Sequence, residues 1–176
     1  MVEPQRVARD RRGPRTTFDE IVVGDDLGTV EWSFTRDMIA GIAETDDDYH
    51  EWYAVDSPYG GVIAPVLISY PPVRLLFSRK YNVRGVFYSF EMQNMQPLRP
   101  DVVYIITARV CDKWTKRDRE FVQYEAVCVD PGGRVVFRTK RAHALDYLPV
   151  TVPKTAMGID SGAGGRPDLA KEELGR

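Results

Sequence analysis

VVYIITARVCDKWTKRDREFVQYEAVCVDPGGRVVFRTKRAHAL, residues 102–145, decides the fold. Val102–Val110 is apolar and rich in β-branched side chains, the composition of a strand. Charged residues 112–120, with Lys116–Arg119 as the tip, form a hairpin connection to a second run, Phe121–Val129. Asp130-Pro131-Gly132-Gly133 is a turn by composition, and Val135–Leu145 follows it as a third long strand. Upstream, Val86–Gln93 alternates in the manner of a strand and is cut off by NMQPLRP (94–100), which holds two prolines.

Working outward, the first half of the chain is mixed. Val30, Trp32 and Phe34 alternate with Glu31 and Ser33, a period of two. Thr35 then caps a helical stretch with Met38, Ile39, Ile42 and Ala43 on one face. A polar, turn-rich loop, ETDDDYHEWYAVDSPYGG (44–61), leads into VIAPVLISYPPVRLLFSRKY (62–81), the most apolar stretch of the chain. Pro71 and Pro72 predict one bent helix or two short ones there. The order of elements is strand, helix, long apolar helix, then about four antiparallel strands. That is an α+β domain, a curved antiparallel sheet with one long helix against it.

At 176 residues and 20.0 kDa the chain makes one domain with tails. Residues 1–15, with five Arg and two Pro, read as a disordered basic arm. Residues 16–150 make the packed domain, and 151–176, rich in Gly and charge, a flexible tail. Lys and Arg total 24 against 26 Asp and Glu, so no sequence-wide basic field invites nucleic acid or an anionic membrane. No apolar run approaches the roughly 18 to 20 residues that span a bilayer, and a cytoplasmic protein is expected. Cys111 and Cys128 lack zinc spacing; their neighbouring strands would allow them to face each other, and they read as small core residues. Lys113, Lys116, Arg117 and Arg119, or Arg79 and Lys80, are candidates for a phosphate contact, with solvated charge the commoner outcome.

Unlike functional groups crowd together only in the acidic loop. Asp46, Asp47 and Asp48 are consecutive, with His50 and Tyr53 close behind. A carboxylate beside an imidazole fixes the ring tautomer and raises its basicity, so the pair can deprotonate water. Asp46 would share a face with His50 in a helical turn, and Asp48 would share one in an extended chain. Ser57-Pro58-Tyr59-Gly60-Gly61 then leads into Val62 and the apolar segment. Glycines at a helix start expose backbone N–H groups, a receptor for a carbonyl oxygen becoming an enolate.

From TFDEIVVGDDLGTVEWSFTRDMIAGIAETDDD (17–48) through SPYGGVIAP (57–65) to RVCDKWTKRDREFVQYEAVCVDPGGRVVFRTKRAHAL (109–145), the chain resembles the MaoC-like acyl dehydratases and (R)-specific enoyl-CoA hydratases. The resemblance implies the hotdog fold, with a sheet wrapped around a central helix and two units pairing into a continuous sheet. It implies a homodimer, or a heterodimer with another hotdog subunit. It also implies hydration or dehydration at the 2,3 bond of an acyl thioester, with no metal and no cofactor beyond the CoA or phosphopantetheine of the substrate. The family's D-x-N-P-x-H is matched here by TDDDYH (45–50), with Thr45 at the first position and the Asn-Pro pair absent. His50 with Asp46 or Asp48 is therefore the expected catalytic set. Pairing Asp48 with Tyr53 restores the five-residue spacing, as in relatives that carry Tyr in place of His. Gly60, Gly61, Val62, Tyr53 and Tyr59 are the expected substrate contacts. A non-catalytic acyl-binding subunit and a thioesterase are the alternatives.

Overall fold

A computed structural model describes residues 15–145; the basic arm and the C-terminal tail expected from sequence lie almost wholly outside these residues. The chain forms β1 (Asp26–Ser33), α1 (Arg36–Thr45), a 3-10 turn (Glu51–Tyr53), a second 3-10 turn (Val66–Ser69) and α2 (Tyr70–Lys80). Four strands follow: β2 (Gly85–Asn94), β3 (Val103–Lys116), β4 (Arg119–Val129) and β5 (Val135–Leu145). They make one antiparallel sheet in the order β1-β3-β4-β5-β2.

Alternation decides which face is buried. Tyr104, Ile106, Ala108 and Val110 of β3, with Val122, Tyr124, Ala126 and Cys128 of β4, line the inner face and are buried. α2 lies against that face and packs on β1 and β3 through Val73, Leu76 and Phe77. Phe77 stacks on Tyr124 with ring centroids 4.6 Å apart, so the centre of the core is an aromatic layer. Arg117 (φ 51) and Asp118 (φ 57) form the two-residue β3–β4 hairpin turn, whose left-handed pair matches the twist of the strands. Register shifts in all four ladders curl the sheet around the helix. At the start of β2 a side chain is impossible, because a Cβ on Gly85 would sit 2.2 Å from the Ala144 carbonyl oxygen.

The helix is shorter than the apolar run suggests. Pro71 and Pro72 fall in the first turn of α2, where a missing N–H costs nothing, and the preceding turn is 3-10. The outcome is a 3-10 turn continuing without a break into an 11-residue α-helix. The cysteines do not face each other: Cys128 is opposite Ile106, and Cys111 sits in the β3 bulge beside Gln123.

Three polar groups of β5 point inward. Arg141 is fully buried, and its guanidinium donates to Ser69 O and Oγ, Tyr70 O and Thr139 Oγ1. It thereby ties the last strand to the start of α2, with the Tyr70 and Phe90 rings beside it. His143 shares a 3.0 Å hydrogen bond with the Tyr124 hydroxyl, and the Phe77 ring lies parallel to it. Burial, with Arg74 and Arg141 nearby, pushes the imidazole pKa down to about 3. β2 is the opposite case, an edge strand on which Val86, Phe87, Tyr88 and Phe90 are exposed.

Candidate active site

The acidic run ends α1. Asp46 is the C-cap, its N–H donating to Ile42 O, and Asp47 takes the left-handed conformation (φ 53). Asp48 N–H then reaches back to Ala43 O at 2.9 Å, a closed helix end in which Asp and Asn are tolerated at the left-handed position. The hydrogen bonds of this end direct the three carboxylates differently, and Asp48 is the one carried toward the next turn.

His50 caps that turn. Its Nδ1 accepts from the Trp52 N–H at 3.2 Å, so the neutral ring carries its proton on Nε2. The ring also lies 4.6 Å from Trp52 and 5.7 Å from Tyr53, measured between centroids. Neither Asp48 nor Asp46 is its hydrogen-bond partner among the described residues. Asp48 Oδ2 instead accepts from the Tyr53 hydroxyl at 2.8 Å. The expected carboxylate–imidazole pair is thus replaced by a carboxylate–phenol pair, the alternative with five-residue spacing. Tyr53 is half-buried against the core, and burial followed by the Asp48 hydrogen bond and charge pushes its pKa up to about 12. The phenol is a proton donor at neutral pH, and the carboxylate is the acceptor.

The glycine turn adjoins this loop through Trp52. Ile63 N–H donates to Trp52 O at 3.0 Å, and the Trp52 and Tyr59 rings meet edge to face at 5.8 Å. Within the turn, Gly60 N–H donates to Ser57 O at 2.9 Å, while Ser57 Oγ donates to Gly61 O at 2.7 Å. Gly60 is therefore committed internally, which leaves Gly61 as the donor of the two. Both glycines have positive φ (78 and 84). They do not start the helix, as the sequence suggests. Val62–Pro65 is non-helical, and helical turns begin at Val66 because Pro65 sets the cap.

Beside the turn a groove of about 370 Å³ runs between Tyr59, Ile63, Ala64 and Val66 on one side and Met95 and Leu98 on the other. Val62 is buried, and Tyr59 is exposed at its mouth. The Asp48–Tyr53 pairing is among the alternatives the spacing offers, whereas Arg99, which donates to both Tyr59 O and Gly60 O, escapes a linear reading. Of the basic residues considered for phosphate, Lys113 is spent on Phe18 O and Ile21 O, and Lys80 on Asp25. Among the described residues no cluster of three His, Cys, Asp or Glu is placed to hold a metal ion.

A sheet of this order, closed over a short helix, is a hotdog domain. Its fold is that of the MaoC-like dehydratases and (R)-hydratases. The MaoC-like dehydratase from Rhodospirillum rubrum matches with a TM-score of 0.58 and 18% identity, over 76% of this chain and 97% of that one. The (R)-hydratase PhaJ1 from Pseudomonas aeruginosa matches with a TM-score of 0.60 and 13% identity, over 74% and 86%. The C-terminally truncated HadBC (3R-hydroxyacyl-ACP dehydratase) complex from Mycobacterium tuberculosis matches with 0.55 and 15%, over 69% and 99%. Comparison with protein-family models and with curated protein sequences gives no match.

Proposed function

We propose that the protein is a hydratase or dehydratase acting at the 2,3 bond of an acyl thioester. The observation that carries this reading is the attachment of the Asp48–Tyr53–His50 loop to the Gly60–Gly61 turn through Trp52. In the hydration direction, Asp48 takes a proton from water as its oxygen bonds to C3. The electron pair of the double bond moves to C2 and the thioester oxygen, where Gly61 N–H meets the growing negative charge. Protonated Asp48 returns the proton to C2, so one water is added and the carboxylate is regenerated. The Tyr53 hydroxyl and the His50 Nε2–H are donors that hold the water and carboxylate in place; Asp46, at the helix end, has no step. The apolar groove takes the acyl chain, and the carrier is CoA or an acyl carrier protein. No resident cofactor enters the scheme.

The full chain assayed on crotonyl-CoA tests this by loss of the enoyl absorbance. Asp48→Asn should lower kcat by about 10²- to 10⁴-fold, the usual worth of a positioned acid–base group. His50→Ala should fall less. The opposite ranking would restore the imidazole as base, and release of free thiol in place of hydration would identify a thioesterase.

A second reading has its own observation. Asp48 and His50 are exposed, and β2 offers an uncovered apolar edge. A partner hotdog subunit pairing along β2 would satisfy that edge, and a catalytically silent subunit in such a pair would carry the same edge. HadBC, a neighbour of this fold, is a complex by its own description. Full activity appearing only on mixing with a second hotdog chain would favour this reading.

A further inference from the structure

Arg99 stands in the connection between β2 and β3, flanked by Pro97 and Pro100 and far in sequence from the glycine turn. Its own backbone is fixed from two sides. Arg99 N–H donates to the Tyr104 hydroxyl at 2.8 Å, and the neighbouring Leu98 O accepts from Ala64 N–H at 2.8 Å. From that anchored position Nη1 donates to Gly60 O and Nη2 to Tyr59 O. A Cβ on Gly61 would lie 3.1 Å from Nη1, so a side chain there would crowd the guanidinium.

The geometry of the peptide group turns this grip into a direction. Gly60 C=O and Gly61 N–H belong to one planar trans amide, in which the two bonds point opposite ways. Holding the oxygen against Arg99 aims the Gly61 N–H away from it, on the far side of the peptide. The preceding amide is fixed likewise: Arg99 takes Tyr59 O, and its N–H, that of Gly60, is spent on Ser57 O. Of the two gripped amides, only the second keeps its N–H for an incoming group. A cation bonded to an amide oxygen also draws electron density from the nitrogen, which strengthens the N–H as a donor. Two carbonyls are gripped by one planar fork, whose two donors keep a fixed spacing and plane that a point-charge ammonium on a flexible stem does not impose.

We propose that Arg99 is a positioning residue that aims and polarises the Gly61 N–H toward the thioester oxygen. This rests on the hydratase reading above, in which that oxygen is the group Gly61 receives. Because Arg99 acts on charge that develops in the transition state, its loss should appear in kcat and leave KM nearly unchanged.

The test uses the full chain and the variants Arg99→Met and Arg99→Lys, with crotonyl-CoA as substrate and glycine-labelled protein for amide spectra. In Arg99→Met the Gly61 amide proton should move upfield more than that of any other described glycine. kcat should fall about 10- to 100-fold, part of the 10²–10³ that loss of an oxyanion donor costs. KM should stay within about twofold, as uniform binding is untouched. Arg99→Lys, keeping a cation beside the carbonyls without the fixed fork, should recover part of both effects. A wild-type enzyme that hydrates crotonyl-CoA while Arg99→Met keeps its kcat, or leaves the Gly61 amide unmoved, overturns the proposal and spares the hydratase reading. A wild type that neither hydrates nor dehydrates, with the amide still responding, removes the reading of function and the catalytic role of Arg99 together.

Discussion

His143 makes acid a specific threat to this fold. The unfolded ring takes up a proton near its ordinary value of 6.5, whereas the buried ring, stacked under Phe77 and close to Arg74 and Arg141, resists it until about pH 3. Between those values the unfolded chain binds the extra proton, so stability is complete above about 6.5 and declines as pH falls toward about 3. At pH 5, one and a half pH units below the free ring's value, the loss at about 1.36 kcal/mol per unit is about 2 kcal/mol. The carboxylates of Asp25 and Asp130 are held low by their hydrogen bonds to Tyr81 and Arg134, so their losses come below the ordinary carboxylate range. Urea unfolding at pH 7.5 and pH 5, at one protein concentration, isolates the imidazole when wild type is compared with His143→Gln. Glutamine keeps a partner for the Tyr124 hydroxyl but cannot titrate. The variant should be less stable at both pH values, yet its loss between them should be smaller than that of wild type by about 2 kcal/mol. A difference below about 0.5 kcal/mol, the scatter of unrelated sites, would refute the argument.

Phe77, fully buried between α2 and the Tyr124 ring, should cost about 3–5 kcal/mol when truncated to Ala. A midpoint shift in urea equivalent to less than about 1 kcal/mol would mean the aromatic layer is not the centre of the core. The exposed β2 edge should hold two hotdog units together, so sedimentation should give a mass near twice 20.0 kDa that Val86→Lys reduces to one chain. A wild type that sediments as one chain would remove edge pairing from the proposal.

The strands were legible where local pattern coincides with environment. Tyr104, Ile106, Ala108 and Val110 alternate with exposed neighbours, and the turn residues 117–118 and 130–133 stand where composition puts them. The same rule misleads at Arg141 and His143, polar residues at inward positions, because their partners Ser69, Tyr70 and Tyr124 are distant in sequence. At the site, the crowd of functional groups in 46–53 was readable and Asp48–Tyr53 was among its possible pairings, but the choice between the pairings was not readable. Which carboxylate leaves the helix end depends on the left-handed Asp47, and that choice hands Asp48 to Tyr53. Arg99 carried no local signal at all, since its role exists only when the 94–101 connection folds across the glycine turn.

The strand order also dictates when this fold can be completed. β1 and β2 are the first two strands made, yet they occupy opposite edges, and their partners are β3 and β5. A nascent chain that has reached Asn94 therefore owns two strands that cannot pair with each other. Phe87 and Phe90 of β2 must wait until Val135–Leu145 leaves the ribosome before their ladder closes, whereas α2 has β1 and then β3 to pack on. Such non-local closure is slow and leaves apolar segments open to other chains in the interval. β1, β3 and β4 can pair in the order in which they are made, but the sheet cannot be completed until β5 arrives and gives β2 its partner.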